Sequence, residues 1–168
     1  MRARVGPDGM LTLGALQARA VLGAGGIRAQ KQEGDGATPA GLLPLRRVLY
    51  RADRLPRPRA AVPVSPLAPH DGWCDDPADP AYNRPVRLPY AARHEELWRP
   101  DAVYDVIGVL GWNDAPPVRG PGPAPGSAIF LHLARPDRAP TAGCIALDRA
   151  DLLALLTAGL TEIEVEAA

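Results

Sequence analysis

Proline and glycine interrupt this chain so often that no long regular element fits between them: 20 prolines and 17 glycines are spread through 168 residues. Proline fixes φ and removes a backbone donor, and glycine gives up the most freedom on folding, so both tend to end elements. The chain is therefore expected to be short strands joined by ordered loops, poor in long helices. At this length one domain is expected over residues 1–168, large enough to bury about two-thirds of its unfolded surface.

The clearest strand is 103–110, VYDVIGVL, which is β-branched and nearly all apolar, as a central strand buried on both faces must be. A second core strand is expected over 127–133, SAIFLHL, ending at His132. Residues 1–22 read as two or three short strands around a Gly6-Pro7-Asp8-Gly9 turn, with a helical turn as the alternative over 17–22. Further strands are expected over 45–51 and 161–165, and 51–69, rich in Pro and Arg, should run extended over the surface. The best helix is 148–158, where Asp148 can cap, Asp151 sits in the first turn, Leu152, Leu155 and Leu156 form an apolar stripe, and Gly159 ends it. A shorter helix is expected over 93–98. The sum is a mostly β chain with one main helix and long Pro/Gly-rich loops.

Nineteen basic and nineteen acidic residues balance, so nothing points to nucleic acid or an anionic membrane as partner. No 18-residue apolar run exists, so no membrane span is expected. Residues 1–10 begin with charge but lack the apolar core of a signal peptide. Lys31 is the only lysine, and Lys31-Gln32-Glu33 stands alone in a Gly-rich segment that lacks the ending of a phosphate loop. His94-Glu95-Glu96 has no metal-ligand spacing with another His or Cys, and His70 is too far along the chain, so neither a metal nor a cofactor is expected.

Two stretches carry candidate chemistry. Cys144 lies 12 positions after His132, directly after Gly143, and the segment between could fold one strand onto the other. A thiol nucleophile needs a base within hydrogen-bond reach and donors for the oxyanion, and Gly143 lets the backbone turn sharply and a substrate come close. The second stretch, 70–89, concentrates Trp73-Cys74-Asp75-Asp76 and Tyr82-Asn83-Arg84. It reads equally well as a packed Ω-loop whose Asp residues cap its own turns and as a binding segment. A stiff Pro-rich loop over 114–125 leads into the His132 strand and is expected as an ordered flap. Two cysteines make no disulfide framework, and a nucleophilic Cys144 must be free of Cys74.

His132, Thr141, Gly143, Cys144 and Ile145 resemble the active-site signature of the L,D-transpeptidases, cysteine enzymes that crosslink bacterial peptidoglycan. Residues 34–41, GDGATPAG, are similar to the Thr-Pro-x-Gly turn of that family. Ala142 departs from the usual His, and Ala146 from the usual Asn or Arg. Over about 21–165 the resemblance implies an L,D-transpeptidase-type β-sandwich, a divergent proteobacterial branch with a Thr-x-Gly-Cys motif, and a periplasmic location. It implies stem peptides and the glycan strand as partners. Cys144 would be the nucleophile, His132 its base, Gly143 and Cys144 the oxyanion donors, and the Leu133 carbonyl or another main-chain group the support of the imidazole. Thr141 and Ala142 would face substrate, with Trp73, Tyr82 and Asn83 as further contact surface. The crosslink would run between two stems, extending to links from L-Ala to diaminopimelate. Water as acceptor would make an L,D-carboxypeptidase. A peptidoglycan-binding module without catalysis would explain Ala142 but not the retained His132 and Cys144. A core His and a buried thiol would explain the apolar flanks but not the Thr-x-Gly-Cys turn.

Overall fold

The computed structural model describes residues 1–115 and 122–167. Along the chain run β1 (Arg2–Val5), β2 (Met10–Leu13), β3 (Leu16–Arg19), β4 (Ile27–Arg28), β5 (Thr38–Pro39), β6 (Gly41–Tyr50) and β7 (Val64–Pro66). Then follow β8 (Asp71–Cys74), β9 (Pro85–Arg87), β10 (His94–Glu96), β11 (Val106–Leu110), β12 (Phe130–Leu133), β13 (Ile145–Leu147), α1 (Arg149–Thr157) and β14 (Glu162–Val165). The architecture is mostly β and sandwich-like, with one helix.

The main sheet has the order β13-β12-β11-β6-β14-β1-β2-β3, with β7 along β6. β6 joins its two parts: Gly41 to Pro44 pair with β14, and the residues from Leu45 to Tyr50 pair with β11, across a register shift at Val109/Leu110. A bulge of this kind bends the strand and increases its twist, which lets one strand serve two parts of a curved sheet. β11 is buried at every position, as its unbroken apolar run demands.

Alternation along β12 and β13 divides the core. Leu131, Leu133, Ile145 and Leu147 belong to the larger cluster, with Leu152, Leu155 and Leu156 of α1. Phe130 and Cys144 belong to the other, with Trp73, Tyr104 and Ile107. Each α1 leucine so buried contributes about 1.5–3 kcal/mol, and together they hold the helix behind the sheet face opposite Cys144. The helix ends in a Schellman arrangement, Leu160 N–H to Leu155 O and Gly159 N–H to Leu156 O at 3.1 Å each, with Gly159 at φ +92°. Its other end differs from expectation. Asp148 has an extended cap backbone but makes no side-chain cap bond, because its carboxylate accepts from Arg138 instead.

Further expectations are corrected or refined. Residues 93–98 are not helical: His94–Glu96 is β10, which pairs with β8 in a three-stranded sheet of order β10-β8-β9. Residues 70–89 hold strands at both ends, β8 and β9, paired antiparallel, while the segment between them is a packed loop in which Asp76 and Asp79 cap their own turns. The runs are too short to show a period, and only their mutual pairing makes them strands. The extended segment 51–69 contributes β7, parallel to β6, and the helical alternative over 17–22 loses to β3. Of the Pro-rich loop, residues 116–121 lie outside the described residues. Among those described, no helix is long and apolar enough to cross a membrane.

Candidate active site

His132 and Cys144 are brought together by a parallel ladder. Leu131 pairs with Ile145, His132 with Ala146 and Leu133 with Leu147. Parallel neighbours need a return connection of about a dozen residues, which is why the His-to-Cys spacing is long. Because side chains alternate, Cys144 shares a sheet face with Ala146 and therefore with His132, as a diagonal neighbour.

The imidazole is buried at 6% exposure. Its Nδ1 donates to the Leu133 carbonyl at 2.9 Å, and a carbonyl can only accept, so the neutral ring carries its proton on Nδ1 and keeps the Nε2 lone pair free. Burial lowers the His132 pKa; the Leu133 hydrogen bond works against that, and the Arg99 charge adds to it. The Tyr104 ring meets His132 edge-on, centroids 5.4 Å apart.

The thiol is held by backbone rather than by the imidazole. Cys144 Sγ donates to Ala128 O at 3.2 Å and accepts from Phe130 N–H at 3.4 Å. Burial pushes the thiol up to about 12, Glu95 adding to the shift while Phe130 N–H and the Lys31 ammonium oppose it. At neutral pH the pair is thus thiol and neutral imidazole. Ala128 occupies left-handed backbone, φ +52°, which is uncommon for a residue other than glycine and costs on the order of 1 kcal/mol. Its N–H donates to Asn83 Oδ1 at 3.0 Å, so Asn83 helps fix the carbonyl on which the thiol rests.

The turn before the nucleophile is closed by Thr141. Its hydroxyl donates to Cys144 O at 2.7 Å and accepts from Gly143 N–H at 3.1 Å. The Gly143 N–H, expected to face an oxyanion, is thereby engaged within the turn. Gly143 sits at φ +134°, and a Cβ there would stand 2.7 Å from Ala37 O. The 34–41 stretch therefore packs directly against the nucleophile turn. Ala142, in contrast, is exposed.

Two lobes of one cleft meet at Cys144. The larger, about 560 Å³, includes His132, Tyr104, Arg99, Arg135, Thr141 and Ala146. The smaller, about 210 Å³, includes Lys31, Glu33, Asp75 and Ser127. Glu95, Ala142 and Cys144 line both.

Trp73, Tyr82 and Asn83 do not line the cleft at Cys144. All three are buried, at 6%, 3% and 6% exposure, and their polar atoms are committed internally. Trp73 Nε1 donates to Asn83 Oδ1 at 3.0 Å, and Asn83 Nδ2 reaches the carbonyls of Trp112 and Asn113. Tyr82 donates its hydroxyl to Glu33 and accepts from Gly126 N–H. They form the support under residues 126–130. Trp73 and Asn83 also line a separate pocket of about 330 Å³ that includes Asp114 and does not include Cys144, so this described end of the Pro-rich loop faces that pocket rather than the nucleophile.

Two residues of the cleft have no place in the sequence reading. Lys31 is buried, and its ammonium donates to Asp35 at 2.8 Å and to Gln32 O at 3.3 Å. Its stem passes between two glycines: a Cβ on Gly126 would stand 2.8 Å from Lys31 Cε, and one on Gly143 would stand 3.3 Å from Nζ. Burial alone would raise Asp35, but hydrogen bonds from Lys31 and from the Gln32 and Ala37 amides outweigh it and hold the carboxyl at about 2. The available signal was a lone lysine, in a chain otherwise using arginine, set among glycines. Glu95, half-buried on β10, accepts from the Tyr104 hydroxyl at 2.6 Å. Its sequence context, dismissed for metal binding, gave no sign that strand pairing carries it to the cleft. Cys74 and Cys144 are both free.

The family model of the L,D-transpeptidase catalytic domain (YkuD) matches residues 10–163. The chain belongs to this family. Its members are cysteine-dependent transpeptidases that act on peptidoglycan, usually outside the cytoplasm. No curated protein and no solved structure gives a match.

Proposed function

We propose that this chain is a peptidoglycan L,D-transpeptidase that acylates itself on Cys144 and passes the acyl group to an amine of a second stem peptide. The observation that carries the reading is the state of His132: its Nδ1 is committed to the Leu133 carbonyl, which leaves Nε2 for the thiol on the same sheet face of one cleft. As the donor binds, Sγ turns from Ala128 O and gives its proton to Nε2. The C–S bond forms, an electron pair moves to the carbonyl oxygen, and the Cys144 N–H is the candidate donor to that oxygen. The imidazolium then gives its proton to the departing amine, leaving a thioester.

The donor and acceptor are stem peptides of the glycan strand, in the periplasm. The donor carbonyl is proposed to be that of L-Ala, giving links from L-Ala to diaminopimelate. Supporting this, Ala142 and Ala146 both line the larger lobe, where small side chains leave room for a bulkier, sugar-proximal donor.

Incubation with a carbapenem followed by intact-protein mass spectrometry should give one adduct that Cys144→Ala lacks. An adduct on Cys74 would overturn the assignment. Muramidase digestion of treated sacculi and tandem mass spectrometry of the dimers should find L-Ala-to-diaminopimelate links. Dimers joined only between diaminopimelates would refute that specificity, and trimmed monomers alone would indicate a carboxypeptidase.

A further inference from the structure

We infer that Glu95 is the acceptor site: its carboxylate binds the incoming ammonium of the second stem peptide and takes a proton from it before the amine attacks the Cys144 thioester. The inference rests on the transpeptidase reading and concerns only its second half.

The proton count requires a second base. The acceptor arrives as an ammonium with three N–H bonds, and the amide product keeps one. Two protons must therefore leave the nitrogen. One can pass through His132 Nε2 to the thiolate released when the C–S bond breaks, restoring the thiol. The other needs a separate acceptor, in place before attack, because an ammonium has no lone pair to form the new C–N bond.

Glu95 has the position for this. With Ala142 it shares with Cys144 the junction where the two lobes meet, so a group bound to it faces both the acyl carbon and open space on either side. Its Oε2 is fixed by the Tyr104 hydroxyl, and Tyr104 in turn packs on His132 and on Phe130. One tyrosine thus aligns the two proton acceptors, and among the described residues Glu95 Oε1 has no hydrogen-bond partner, so it remains for a ligand. Arg99, whose charge acts on Glu95, is paired with Asp101, and Arg93 is taken up by Asp75 at 3.1 Å and Glu33 at 3.6 Å.

Its chemistry fits as well. Burial raises the Glu95 pKa; the Tyr104 hydrogen bond opposes that, Asp75 and Glu33 add to it, and Arg99 works against it. A carboxylate raised toward neutrality accepts a proton more readily than a free one. Because its charge also raises the Cys144 thiol, the proton that Glu95 takes from the acceptor removes a negative charge that opposes the departing thiolate.

The test separates the two half-reactions in the full chain. With a purified disaccharide-tetrapeptide as both donor and acceptor, the acylation rate and the ratio of crosslinked dimer to hydrolysed product are measured. Glu95→Gln should lower the dimer-to-hydrolysis ratio about a hundredfold, in the range expected for loss of a general base, while acylation should not slow with it, since removing the Glu95 charge lowers the Cys144 thiol. Glu95→Asp should recover part of that ratio. In the unaltered protein the ratio should also fall with decreasing pH as Glu95 protonates, while carbapenem acylation does not follow the same curve; this arm holds even where the Gln variant fails to fold. An unchanged ratio, or acylation and ratio falling together, would overturn the role of Glu95. Failure of the unaltered protein to acylate would overturn the transpeptidase reading itself and this inference with it.

Discussion

The two lobes beside Cys144 solve the problem of buried polarity in opposite ways. The His132 lobe rests on strands, and the proton donors that accompany the Glu95 carboxylate there are neutral: an imidazole on a carbonyl, a tyrosine on that carboxylate, a thiol on a carbonyl. The Lys31 lobe rests on loops and keeps a full ion pair, with side-chain exposures of 3% for Lys31 and 11% for Asp35. Neutral groups tolerate burial and can exchange protons, whereas a buried charge persists only while its partner stays in place. The strand-built side is thereby suited to moving protons, and the loop-built side to holding a fixed field.

The largest expected effect tests the neutral side. His132→Ala should slow acylation by a carbapenem by at least about a hundredfold, the scale of lost general-base catalysis, measured by stopped-flow with thermal melts as a folding control. A comparable effect from Lys31→Met on the chemical step, in a variant that melts normally, would erase the division of labour.

The next effect concerns the resting thiol. With its pKa pushed up to about 12, Cys144 should react with iodoacetamide at neutral pH roughly a thousandfold more slowly than a free cysteine of pKa about 8.5. The sign follows from the direction of the shift: the thiolate fraction, and with it the rate, should climb about tenfold per pH unit well past pH 9. A plateau near neutrality would mean a thiolate–imidazolium pair, contrary to the contact with Ala128 O.

On the charged side, Lys31→Met strands the Asp35 carboxylate in a buried position. It should destabilise the fold by about 3–5 kcal/mol, read by urea denaturation, and Asp35→Asn, which strands the more deeply buried Lys31 ammonium, should cost a comparable amount. Near-equal small losses would show that the ion pair is solvated and the contrast between lobes is overstated.

The smallest effect is a pH dependence. Asp35 is depressed in the folded state, so its contribution is present above the unfolded carboxylate value and lost as pH falls toward about 2. The amount is about 2 kcal/mol, seen as a loss of melting temperature between pH 4 and 2 that Asp35→Asn lacks. Retention of that acid sensitivity in Asp35→Asn would assign it to other carboxyls.

What the sequence disclosed follows the same division. His132, Cys144 and the Leu133 carbonyl were legible because an apolar strand, a Gly-marked break and a short-range bond to the next residue all show locally. The helix stripe Leu152, Leu155 and Leu156 was legible for the same reason. β8, β9 and β10 were not, because three or four residues are too few for a period and become strands only by pairing with one another. Trp73, Tyr82 and Asn83 looked like contact residues by chemical type, yet each spends its polar groups on partners distant in sequence. Asn83 to Ala128 and Tyr82 to Gly126 are of that kind. Lys31 and Glu95 went unassigned because their neighbours across the cleft, Gly143 and Tyr104, come from other elements.

The three ladder pairs of β12 and β13 have a practical consequence for remodelling. Together with the bridges from Val21 to Ala146 and from Gly23 to Thr141, they set the offset between base and nucleophile, so the connection ahead of Thr141 is open to changes of length as a replaceable cassette. At its tip Arg135 and Asp137 are exposed at 58% and 61%, Arg138 anchors the tip to Arg19 O and Asp148, and Arg135, Ala139 and Pro140 wall the larger lobe. Doubling such a loop costs only about 0.6 kcal/mol in closure entropy. Grafting longer or shorter tips between Arg135 and Arg138 should therefore retune which peptides fit, while leaving the acylation chemistry of the scaffold where it is.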